Sequence, residues 1–77
     1  MAFYEIVVQN LIDKKRFREF PDMEITYLEG DRTLIAGKLI DQAQLFSIIN
    51  KIRDMNLELI LIKKDHKDIG GLHEKFN

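Results

Sequence analysis

The stretch Gly37–Ile62, GKLIDQAQLFSIINKIRDMNLELILI, decides how the chain is read, because it sets a helical period between two strand-like runs. Asp41 followed three residues later by Gln44 is a capping box in its Asp/Gln form and marks a helix start. Leu45, Ile48, Ile49, Ile52 and Met55 then recur as one apolar stripe, with Phe46 at its margin, while Ser47, Asn50, Lys51 and Asp54 fall mostly elsewhere. Asn56 tolerates the left-handed conformation that stops helices. LELILI, Leu57–Ile62, is therefore predicted to leave the helix as a strand, apolar at nearly every position.

Upstream, MEITYLEGDRTLIAGKLI alternates on both sides of Gly30-Asp31, which predicts a hairpin with a two-residue loop. That loop sets Glu29 opposite Arg32, Tyr27 opposite Leu34 and Ile25 opposite Ala36. In LIDKKRFREFP, Asp13 can cap a helix starting at Lys14, and Ile12 stands at the right offset from Phe17 for a hydrophobic staple. Phe17 and Phe20 share a face and Pro21 ends the segment, so about two helical turns are expected. FYEIVVQ, Phe3–Gln9, reads as a strand, and its apolar residues fall on both sides of the alternation, as in a central strand.

The order strand, short helix, strand, strand, helix, strand predicts an α+β ferredoxin-like βαββαβ fold, a four-stranded antiparallel sheet with two helices on one face. Residues 1–64 form the single domain in this reading, and 65–77, with paired glycines and scattered charge, a mobile polar C-terminal tail. The fourth strand would be an edge, and an edge as apolar as LELILI is ordinarily covered or paired.

A 77-residue chain buries only about 60% of its unfolded surface, so its core is thin. With no cysteine, disulfides and thiolate metal sites are excluded, and self-association is the natural supplement. The net charge of -1 gives no whole-chain attraction to nucleic acid or anionic membranes. Acidic Glu5 near the start and the lack of an apolar run near the roughly 20 residues that span a bilayer point to a cytoplasmic protein without a membrane partner.

Sites are sparse in this sequence. His66 and His73 lie in the predicted tail, Ser47 is mid-helix, and no catalytic, cofactor or metal residue is expected. Lys14, Lys15, Arg16 and Arg18 form a basic cluster around Phe17 that could meet phosphates, the alternative of nucleic-acid binding. Against it, RTLIAGKLI lacks the aromatics on which RNA-binding sheets stack bases. Acylphosphatases share the expected topology, but their anion-cradling loop needs glycines that Asn10–Asp13 lacks, so an enzyme is not expected. Amino-acid-binding ACT modules are similar in fold only and leave a small-ligand-binding regulatory domain as a further alternative. The Asp41–Gln44 helix start could attract an anion, but Asp41 is itself negative and supplies the cap.

The pattern G-x-x-x-DQA-x-L in Gly37–Leu45, the INKIRD helix end and the apolar last strand resemble a group of short uncharacterised bacterial proteins. The likeness spans about Gly37–Lys64 and is weaker in YEIVV and around Phe17 and Phe20. It implies a complete small bacterial protein and carries no established activity. The functional expectation is a non-enzymatic module that forms a homodimer or docks on another protein, with Leu57, Leu59, Ile60, Leu61 and Ile62 at the interface.

Overall fold

The computed structural model describes residues 2–65. The elements are β1 (Ala2–Gln9), a 3-10 turn (Lys14–Phe17), β2 (Met23–Leu28), β3 (Arg32–Leu39), α1 (Gln42–Asp54) and β4 (Leu59–Asp65). The strands form one antiparallel sheet in the order β2-β3-β1-β4. β4 returns beside β1 after α1, two positions from β3.

This corrects the expected ferredoxin-like βαββαβ fold, because only one of its two helices exists. The segment after β1 is a single 3-10 turn of four residues. Asp13 caps it by accepting from Lys15 N at 3.0 Å, and the bonds that follow span three residues: Arg16 N to Asp13 O, Phe20 N to Phe17 O and Met23 N to Phe20 O. The reason lies in spacing and charge. Phe17 and Phe20 are the apolar pair of this segment, and a three-residue interval is the one a 3-10 turn stacks in register. Lys14 and Arg18 stand four apart with like charge, which opposes an α-helical turn. Pro21 removes the room in which a helix could recover its nucleation cost.

The hairpin register also differs from the expected one. Leu28 pairs with Arg32, Tyr27 with Thr33, Ile25 with Ile35 and Met23 with Gly37. The loop is thus three residues, Glu29–Asp31, with Gly30 at φ 80° and Asp31 at φ 56°. A one-residue slip moves every side chain to the other face. The observed register keeps Met23 and Ile25 on the face of Ile35, which the expected one would have split. The proposed Glu29–Arg32 charge pair gives way to a hydrogen bond from Arg32 Nε to the Glu29 carbonyl, 2.8 Å.

Strand alternation sorts the sheet into two faces. Tyr4, Ile6 and Val8 of β1 join Ile35 and Leu39 of β3, Ile48 and Ile52 of α1, and Ile12 and Phe17 around the turn, in one core. Val7, Leu34 and Leu61 are directly paired across three strands and share the opposite face, which carries no helix among the described residues. Helix α1 is closed at both ends, by side chains at its start and by backbone bonds at its stop. Asp41 accepts from Gln44 N at 3.0 Å, and Gln44 Oε1 accepts from Ile40 N at 2.8 Å. At the far end Asn56 sits at φ 61°, and Leu57 N donates to Ile52 O while Asn56 N donates to Arg53 O, a Schellman stop.

Candidate functional site

The inner face of the sheet is covered unevenly, and β4 is where cover runs out. The 3-10 turn lies on the β2 side, where Phe17 and Phe20 border Met23 and Ile25. Lys51 of α1 reaches this turn, donating to Glu19 Oε2 at 2.9 Å with its ammonium 5.6 Å from the centre of the Phe17 ring. Helix α1 seats chiefly against β3. Its flank away from Lys51 carries Phe46 and Ile49, which are three apart on the helix, and Phe46 is 56% exposed.

On β4, Leu59, Ile60, Leu61 and Ile62 are 40, 43, 47 and 39% exposed, four consecutive large apolar residues on an edge strand. Leu59 and Ile62 pair with core-facing Val8 and Ile6, and Leu61 pairs with Val7 on the open face. Among the described residues no strand pairs with its outer edge, and both of its faces carry apolar side chains that are only partly covered. Leu57, expected at the same surface, precedes β4 and packs against the core. The strand runs on to Asp65, past the expected strand end at Ile62, with Lys63 and Lys64 paired to Glu5 and Tyr4. The expected tail, residues 65–77, lies outside the described residues apart from this last strand position, and His66 and His73 lie outside them with it.

Lys14, Lys15, Arg16 and Arg18 are all exposed on the 3-10 turn. Among the described residues none of the four is ion-paired, and Arg18 Nε donates to the Lys15 carbonyl at 3.3 Å. Glu19 beside them is tied to Lys51, whose hydrogen bond to the carboxylate holds its pKa below the usual carboxylate value.

The β1-to-turn loop, compared above with an anion cradle, has its donors turned inward. Asn10 N donates to Asp31 O, and Ile12 N donates to Thr33 Oγ1 at 3.2 Å. Thr33 Oγ1 in turn donates to Asn10 O at 2.7 Å, and Tyr27 Oη donates to Ile12 O at 2.7 Å. Thr33 is fully buried and organises this loop, a role no sequence motif signals. A broad depression of 590 Å³ lies where β2 begins and β3 ends, lined among others by Phe3, Pro21, Met23, Glu24, Lys38 and Ile40. Among the described residues every buried side-chain N or O atom has a partner, so no orphaned group marks this depression for a ligand. No cluster of metal-ligating side chains occurs among the described residues, and no helix there is long and apolar enough to cross a membrane.

Residues 3–63 match the family model described as a domain of unknown function, DUF8691. No curated protein and no solved structure matches the chain significantly.

Proposed function

Because the chain belongs to the DUF8691 family, whose description assigns no activity, we propose its role from its own surface: a non-enzymatic interaction module that self-associates through β4. The observation that carries this reading is the run Leu59–Ile62, four large apolar side chains 39 to 47% exposed on a strand at the edge of the sheet among the described residues. Contiguous exposed apolar surface of this kind favours burial against protein, and a short chain without cross-links gains stability from it.

Molar mass by size exclusion with light scattering, over a wide concentration range at low and high salt, tests the reading. A dimer that persists at high salt supports an apolar interface, and the double variant Leu59→Ser, Leu61→Ser should then be monomeric with its fold intact. A wild-type monomer at every concentration refutes self-association. Nucleic-acid binding through Lys14, Lys15, Arg16 and Arg18 is the second reading, supported by their exposure without ion pairs. It requires binding that weakens steeply with salt and vanishes when those four are neutralised.

A further inference from the structure

We propose that the depression between the 3-10 turn and the start of β2 binds a small carboxylic acid with an apolar body, at a site apart from β4 and independent of self-association. Its volume is 290 Å³, at the low end of hollows that hold small molecules. Phe17, Phe20, Met23 and Ile25 supply an apolar lining, the last three only partly buried. Phe17 and Phe20 meet as a tilted pair, with ring centroids 6.1 Å apart and planes at 43°. Partly exposed apolar side chains in a concave place gain by releasing water to an apolar ligand.

The same depression is lined by two cations, Lys14 and Arg18. A 3-10 turn repeats every three residues, so Lys14 stands on the side of Phe17. Arg18 follows Phe17 directly and is tethered through one nitrogen, its Nε donating to the Lys15 carbonyl at 3.3 Å. Neither cation is ion-paired among the described residues. Arg16 lines a different hollow, with Glu19 and Lys51, so the basic cluster is divided between two places. Glu24 also lines the depression, and with two cations against one carboxylate a single net positive charge remains. That balance suits a monoanion better than a phosphate dianion, and a guanidinium offers a carboxylate paired N–H groups in matching geometry. The larger depression beside it sets Asp22 and Glu24 against Lys38, so an anion is repelled there.

Octanoate is the probe, titrated into the full chain and followed through backbone amide signals by NMR. Saturable shifts should gather in residues 14–25, with a Kd of roughly a millimolar, which about ten non-hydrogen atoms sustain. Octanol, the same body without the charge, should bind about tenfold more weakly, and octylamine more weakly still. Lys14→Gln and Arg18→Gln should each weaken octanoate about tenfold by removing a charge-assisted bond. Glu24→Gln should tighten it about threefold by removing a like charge, whereas Lys63→Gln on β4, at the far edge of the sheet, should leave it unchanged. Amide spectra of the variants that match the wild type away from the depression establish that the fold is kept. The proposal is overturned if no saturable shift develops at millimolar octanoate, if the shifts gather at Leu59–Ile62 instead, or if affinity is indifferent to Lys14, Arg18 and Glu24. A peptide that binds more tightly than octanoate through a free C-terminal carboxylate, and not when amidated, would overturn it in favour of a peptide end. A wild-type monomer in light scattering would remove the β4 reading and leave this site standing.

Discussion

Replacing Gly37 by alanine should lower the melting temperature sharply, although it removes a residue that ordinarily weakens strands. Gly37 pairs with Met23 on β2 and Tyr4 on β1. A Cβ there would lie 2.3 Å from the Asp22 carbonyl oxygen, 2.7 Å from Met23 Sδ and 3.0 Å from Met23 Cα. The thioether can swing aside. The carbonyl must retreat by about 1 Å to reach the roughly 3.3 Å of an ordinary carbon–oxygen approach. It is held by its neighbours: Met23 N donates to Phe20 O and Phe20 N to Phe17 O, both at 3.0 Å. The displacement therefore falls on the backbone that joins the 3-10 turn to β2. Overpacking of this kind costs about 1 to 3 kcal/mol, and loss of one backbone hydrogen bond adds about 1 kcal/mol. A domain of 77 residues has about 4 to 12 kcal/mol in total. At roughly 4 to 8 °C per kcal/mol, the variant should melt some 10 to 30 °C lower, followed by circular dichroism at one fixed protein concentration. Gly37 is not at positive φ, so without the clash the substitution would stabilise by about 0.4 to 1 kcal/mol through the unfolded chain. An unchanged or raised melting temperature refutes the close approach of β2 and β3.

Thr33→Val keeps the side-chain shape but leaves Ile12 N and Asn10 O without their partner, so chemical denaturation should show a loss of about 2 to 4 kcal/mol. Asn56→Ala should cost about 1 to 2 kcal/mol, because alanine meets a steric penalty at φ 61°, whereas Asn56→Gly should be neutral or better by the same measurement. Lys51→Met removes the hydrogen bond that lowers the Glu19 pKa, so the side-chain carboxyl signal of Glu19 in an NMR titration should shift up toward the ordinary value. With the folded value below the unfolded one, the contribution of Glu19 is present above the ordinary carboxylate range and lost as pH falls through the lowered value. The variant should lose that part of the acid dependence.

The parts of the fold that were legible in the sequence are those set by local chemistry. Both ends of α1 could be read from Asp41, Gln44 and Asn56, because caps are made by residues adjacent in the chain. The four-stranded antiparallel sheet follows from alternation and turn residues. The hairpin register was not legible from Gly30-Asp31 alone, since two- and three-residue loops both accept these residues and the choice falls to which face is buried. Thr33 looked like one more β-branched strand residue, and its role depends on a loop more than 20 positions earlier in the chain. Asp13, Ile12 and Phe17 fit a helical start, so the sequence predicts a first helix, but nothing local weighs the cost of nucleating two turns against Pro21 and four cations.

That missing helix accounts for the bare strand. A sheet of four strands with two full helices divides its inner face between them. Here the segment between β1 and β2 supplies one 3-10 turn, whose Phe17 and Phe20 border Met23 and Ile25 on the β2 side. Helix α1 must then cover the centre, and Ile48 and Ile52 lie against Ile6, Val8, Ile35 and Leu39. The Lys51 contacts to Glu19 and Phe17 hold it toward the turn. Each step toward β3 withdraws cover from β4, where the chain is most uniformly apolar. If the β4 surface were an incidental result of thin cover, polar residues at Leu59 and Leu61 would be tolerated with no change in molar mass. If it is the place where this domain meets its copy, those substitutions should abolish the dimer and lower the melting temperature only by the part that dimerisation contributes, which grows with protein concentration.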